Sequence, residues 1–427
     1  MAGTTAASSA RKHRHLKRRN LTNAALKFAG LSALMLAGAI TLLLIGTIFW
    51  RAVPAFLQHQ VKLDVDFAQA AFESDGAIGS RDTMIYANYG ELIGKALEAT
   101  FVQVADERDK QTLRAIVSPS ARAELRDTLL ANPEWIGTRQ SVWLPVSSRV
   151  ESFLHSSADG PNTRSLAPQL QQWLAALERS DATRRSFRLP FFKRGDSRRP
   201  QGAGILGALS GSVLTLMVTF ALSFPIGLAS AVYLEEFAPK SRWIDLLEVN
   251  INNLAAVPSI LFGLLGLAVF INVFHLPRAT PLVGGMTLAL MTLPTIIIAA
   301  RAAIAAVPNS LKDAALSLGA SPVQAVFHHV VPQAIPGVMT GTILAMAQAL
   351  GETAPLLMIG MLAFIVDVPG SVTDVATTLP AQIFLWAESP NKAFSQNAAA
   401  AITVLLLILF LLNSIAVYLR NRFERPI

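Results

Sequence analysis

The chain contains no cysteine, an absence that excludes disulfides, thiolate metal sites, iron–sulfur clusters and a cysteine nucleophile together. It is also poor in charge: 15% of its 427 residues are Asp, Glu, Lys or Arg, against about 25% in soluble domains, while 52% are hydrophobic. With a mean hydropathy of +0.45 and several uncharged runs of about 20 residues, this points to lipid and excludes a disordered tail, a collagenous fibre or a small secreted module. No GxxxxGK[ST], HExxH, GxSxG or EF-hand pattern occurs, so neither a Walker site for ATP hydrolysis nor a common metalloprotease signature is present. No catalytic residue and no metal site is assigned. The adjacent His328 and His329 read as exposed histidines, because neighbours on a helix point to different faces, with a metal or proton role as the alternative.

What is present begins with a basic segment. Residues 1–27 carry seven Lys or Arg between Arg11 and Lys27 and no acid, which predicts a cytoplasmic N-terminus. The uncharged stretch 28–50 is long enough at about 1.5 Å per residue to cross a hydrocarbon core of about 30 Å, and it reads as a retained anchor helix, with a cleaved signal peptide as the competing reading. Five further apolar runs lie at about 205–234, 254–276, 281–306, 337–366 and 398–419. Six crossings return the tail 421–427, which follows Arg420 and holds Arg422 and Arg425, to the cytoplasm. The protein is therefore expected to be multi-pass with both termini inside.

The same topology puts residues 51–204 outside. Their 20 Lys/Arg against 18 Asp/Glu give them a soluble composition, so they are expected to fold as a mainly helical extracytoplasmic domain between the first and second spans. Helical patterns run over 108–130 and 166–178, with Pro119 and Pro133 as breaks and Ser165 as a cap. The basic run Arg184–Arg199 reads as a solvated linker, with a polyanion or lipid-headgroup site as its alternative. The expected fold is thus an all-α membrane protein of six helices carrying an inserted outer domain.

Ionisable groups inside the apolar half are informative, because each costs at least about 2.5 kcal/mol in lipid. Arg301 and Glu352 stand out. Gln348 precedes Glu352 by four residues and shares its helix face, and Gly351 and Pro355 flank the acid where a broken helix would free backbone amides for a cavity. Helix–helix packing within a bundle is the alternative. Pro225, Pro258 and Pro294 interrupt further spans.

The cytoplasmic connection 307–336 combines a short helix, a glycine turn and a second helix. Ser310 is expected to cap a helix whose first turn holds Asp313. Ala314 and Ala315 give that helix a small flat face, Gly319 permits the turn, and Ser321-Pro322 starts the next helix. Asp313-Ala314-Ala315, Gly319, Val331-Pro332 and Pro336-Gly337 resemble the EAA loop of ABC importer permeases, with Asp313 in place of the usual Glu. LAAVPSILFGLLG (254–266), AVYLEEFAP (231–239) and AQALGETAPLL (347–357) resemble the phosphate-importer permease subunit of the PstA type, a likeness covering 204 to the C-terminus.

The resemblance implies an inner membrane permease domain over 205–420, in which Asp313, Ala314, Ala315 and Gly319 couple to a cytoplasmic ABC ATPase dimer. It further implies a second phosphate permease subunit as a heterodimer partner and a periplasmic phosphate-binding protein. No cofactor is expected on this chain, with ATP and Mg held by the partner ATPase, and no nucleic acid is implied. Arg301, Gln348, Glu352 and Thr353 are the expected pathway residues, although many relatives carry Arg where this chain has Gln348. Import of another oxyanion, such as sulfate or molybdate, and a membrane sensor that signals without moving solute are the competing readings.

Overall fold

The computed structural model describes residues 3–68, 73–74, 77–78, 81–102, 104, 106–156, 166–362 and 364–423. The chain divides into two compact units, Met1–Arg51 and Ala52–Ile427. The first unit is the greater part of helix α1 (Gly3–Phe56). Its apolar window has no buried residue and exposes Phe28, Leu31, Leu34 and Leu42 alike, so it is a helix apolar all round that needs lipid about it.

The second unit opens with the outer domain. Strand β1 (Leu57–Asp66) is followed by a hairpin of β2 (Glu73–Ser74) and β3 (Ala77–Ile78) and by helices α2 (Arg81–Tyr86), α3 (Tyr89–Thr100), α4 (Glu107–Arg114) and α5 (Ala121–Ala131). Then come β4 (Arg139–Pro145), α6 (Ser148–Ser156), α7 (Pro168–Arg179), β5 (Thr183–Phe187) and α8 (Pro190–Lys193). The two expected helical stretches form, the first divided into α4 and α5 around Pro119. Ser165 lies outside the described residues, and α7 begins at Pro168 after Ala167.

Alongside these helices stands an antiparallel sheet in the order β4-β1-β5 that the helical patterns did not announce. It forms because VKLDVD alternates with period two: Val61, Leu63 and Val65 are buried while Lys62, Asp64 and Asp66 are exposed. Leu97, Leu113, Leu125, Leu129 and Leu177 pack under its buried face, each contributing roughly 2 kcal/mol by leaving water.

The basic run 184–199 begins inside β5, and of its basic residues Arg188 is built into the junction between this domain and the membrane helices, while Arg184, Arg185, Lys193, Arg198 and Arg199 are exposed. Arg188 is 5% exposed and donates to Asn397 Oδ1 (3.1 Å), Pro200 O and Ala203 O. Asp196 accepts from Gln382 Nε2 (2.9 Å), Trp386 Nε1 (3.1 Å) and its neighbour's backbone N–H. Arg184 stacks on Trp143, and Arg194 pairs with Asp127 at 2.6 Å.

The membrane domain comprises α9 (Leu206–Val232) with a π-helical turn at Tyr233–Phe237, α10 (Arg242–Ala255), and α11 (Ser259–Leu265) continuing through a π-helical stretch to Val273. Next are α12 (Pro281–Ala305), α13 (Asn309–Ser317), and α14 (Pro322–Ala325) joined by a π-helical turn to α15 (Val331–Gly351). The domain closes with α16 (Ala354–Met358), α17 (Leu379–Ala387) and α18 (Lys392–Phe423). Among the described residues five helices are long and apolar enough to cross a membrane, and a sixth span arises if a bent pair is counted as one.

Two spans differ from the apolar runs. At the third, Pro258 removes an amide donor and disfavours helix at Val257, so α10 and the segment Ser259–Val273 meet at 103°. The fifth runs over Pro322–Gly351 rather than 337–366. Pro332 directly follows the π turn Val326–Val330, which joins the two helical pieces into one span.

Candidate functional site

The C-terminal ends of α9 and α12 and the turn leading into α15 converge on a cluster of Ala231, Val232, Ala300, Ile304, Val326 and Val330. Beside it lies α13. The helix starts at Asn309 after Pro308, so Ser310 is inside it rather than capping it, and Asp313 falls in the second turn. Ala315 faces inward at 6% exposure, with Leu311 and Lys312 half-buried on the same side. Asp313, Ala314 and Ser317 face out, and Leu318 is 91% exposed.

Gly319 adopts φ +89°, the left-handed conformation that ends the helix at little cost only for glycine. Ser321 and Gln324 then form a capping box over Pro322. The four residues expected in coupling therefore divide. Asp313, Ala314 and Gly319 are presented outward, and Ala315 seats the helix.

Arg301, near the end of α12, is already engaged. Its Nε donates to Glu235 at 3.2 Å and its Nη2 to Glu248 of α10 at 2.9 Å. Next to Glu235, Glu236 accepts from Lys312 Nζ of α13. Glu235, Glu236, Glu248 and Lys312 were not singled out by sequence reasoning; the paired acids inside AVYLEEFAP at a membrane edge were the available signal.

Gln348 and Glu352 lie one turn apart where α15 ends. Gln348 is exposed, and Glu352 is half-buried in an extended conformation that stops the helix. Thr353 follows it, before α16 turns back to pack on α11 with Pro355 against Gly263, where no Cβ would fit. The helix is thus broken at the acid, as the Gly351 and Pro355 flanks imply.

Arg301 is not brought to this group. Gly337 faces Ala303 and Gly341 faces Ala299, so the register of α15 on α12 sets Arg301 level with Met339. Gln348 is nine residues further on, about 13 Å at 1.5 Å per residue.

Residues 223–425 match the family described as binding-protein-dependent transport system inner membrane component, and residues 13–162 match a domain of unknown function, DUF3333. Over 216 residues the chain is 31% identical to the phosphate transport system permease protein PstA of Yersinia pestis, covering 50% of this chain and 72% of that protein. The chain belongs to this permease family. Within it, the chain is of the PstA type, a multi-pass inner membrane protein. It is also 35% identical over 156 residues to the probable ABC transporter permease protein YqgI of Bacillus subtilis, covering 36% of this chain and only 53% of that protein's length. A structure of the MetNI methionine ABC transporter in an inward-facing conformation aligns with a TM-score of 0.40 at 18% identity, over 50% of this chain and 95% of that one.

Proposed function

We propose that this permease forms part of the translocation pathway of an ATP-driven phosphate importer and couples it to a separate ATPase subunit. The observation that carries the reading is α13, a short helix whose outer face carries Asp313 and Ala314 while its inner face is seated beside the ends of three spans. A partner that closes on ATP can push such a helix and rock the spans. The PstA relatives supply the substrate, and the broken end of α15 supports it. Gln348 donates hydrogen bonds toward an oxyanion, Glu352 can accept the proton of a partly protonated phosphate, and Thr353 adds a hydroxyl.

The partners are a cytoplasmic ABC ATPase dimer that holds ATP and Mg, a second permease subunit, and a periplasmic phosphate-binding protein, with both termini of this chain in the cytoplasm. The reading is tested by labelled-phosphate uptake and ATP hydrolysis in proteoliposomes holding the whole complex, wild type against Ala314→Arg. Ala314 is exposed, so the variant leaves the fold alone. Uptake driven by ATP in the wild type and lost in the variant is expected. Uptake of sulfate or molybdate but not phosphate would overturn the substrate; no flux of any oxyanion would favour a sensor.

A further inference from the structure

The ion pairs beneath the membrane domain have a division of labour that the pathway does not use. Glu235 and Glu236 are consecutive, on the π-helical turn that ends α9, and consecutive helical side chains diverge by about 90°. One carboxylate therefore reaches Arg301 of α12 and the other reaches Lys312 of α13. Arg301 extends the first pair to Glu248, which draws α10 onto the same end of α12. Four elements that the chain separates by bends and loops are held by one acidic dipeptide and its partners.

All five side chains are part-buried, between 11% exposed for Glu236 and 34% for Glu248. Their charges are consequently screened less than those of free surface pairs. Lys312 projects from the inner side of α13, opposite the exposed Ala314.

We infer that Glu236 and Lys312 are positioning residues that transmit displacement of α13 to α9, while Glu235, Arg301 and Glu248 keep α9, α10 and α12 moving as one body. The inference rests on the coupling role proposed for α13. Without the Glu236–Lys312 pair, α13 remains attached through the chain to α12 and α14 but slips relative to α9. ATP is then hydrolysed without the matching movement of the spans.

The test uses the full complex in proteoliposomes and reads phosphate taken up per ATP hydrolysed for Glu236→Gln, Lys312→Met, Lys312→Arg and the swap Glu236→Lys with Lys312→Glu. The neutral single variants are expected to lower that ratio about tenfold while total hydrolysis changes little. Lys312→Arg and the swap are expected to restore at least about half of it. A merely structural role would instead lower uptake and hydrolysis in proportion. An unchanged ratio in both single variants overturns the inference, as does a swap no better than either single. Ala314→Arg separates the two failures: if it abolishes uptake while the Glu236 and Lys312 variants do not, the coupling role stands and the transmission through this pair falls.

Discussion

The two ends of the membrane domain use charge in opposite ways. At the outer junction Arg188 and Asp196 are buried and bonded to neutral groups, the arginine through Nη1 and Nη2 to two backbone carbonyls and Asn397 while its Nε has no hydrogen-bond partner, the aspartate to Gln382, Trp386 and a backbone amide. At the end that carries α13, Arg301 and Lys312 pair with carboxylates that water still reaches. Neutral partners at fixed backbone positions hold one geometry and lose heavily if it changes. Half-solvated ion pairs tolerate a shift of an ångström or two, because water replaces what the partner gives up. The inserted domain is therefore tied to its membrane helices by bonds that a shift would break, whereas the end that carries α13 is held by pairs that a shift would leave solvated.

The largest effect expected from this contrast is at Arg188. Arg188→Met strands Ala203 O and Asn397 Oδ1 in the junction, and should cost about 3 kcal/mol or more. Thermal unfolding of the purified full chain reads it directly. A loss below about 1 kcal/mol would mean that the junction rehydrates and the contrast with the end that carries α13 is false.

Arg301→Met should cost less, about 1 kcal/mol, because Glu235 and Glu248 recover water when the guanidinium is removed. Raising ionic strength should narrow the gap between wild type and Arg301→Met and leave that of Arg188→Met unchanged. Equal salt dependence at the two sites would break the comparison.

A third expectation concerns pH. Burial pushes the Asp196 carboxyl above its ordinary 3.8, and Gln382, Ser197 and Trp386 only partly offset this, while burial brings Arg188 down to about 10. Between 3.8 and the raised value the folded chain holds a proton on Asp196 that the unfolded chain has lost. Stability from this group is then present below 3.8 and is lost as pH rises through the folded value. Melting temperatures of wild type and Asp196→Asn, followed upward from pH 3, should show the wild type losing ground. The opposite slope would mean that the hydrogen bonds to the carboxylate outweigh its burial.

Much of the membrane domain was legible because its signals are local. Gly319 with its positive φ, the Ser321 cap on Pro322 and the break between Gly351 and Pro355 each declare themselves within five residues. The strand β1 was equally local, in the alternation of VKLDVD, but it follows directly on α1 and lies among helical patterns. Pro332 and Pro336 misled in the other direction, read as loop although α15 accommodates both. The partners of Arg301 were not legible at all. Glu235 and Glu248 are 66 and 53 positions away, and only the 103° bend at Pro258 brings Glu248 back over α12. A charge read alone in an apolar run becomes a pathway candidate; the fold decides whether it is already matched.

That distinction leaves the smallest and sharpest test at Gln348. With Arg301 matched and about 13 Å away along the helix axis, the strip formed by Leu344, Gln348 and Glu352 offers the Gln348 amide as a donor but no cation of its own. If this strip faces phosphate, Gln348→Arg should lower the KM for uptake about threefold, unless the new guanidinium pairs with Glu352 one turn on. Combining it with Glu352→Gln removes that competitor and should bring out the full effect. An unchanged KM in both the single and the double variant would mean that the strip faces something other than the permeating anion. The pathway would then lie along another face of the spans, and Glu352 would be a break in a helix rather than a contact for phosphate.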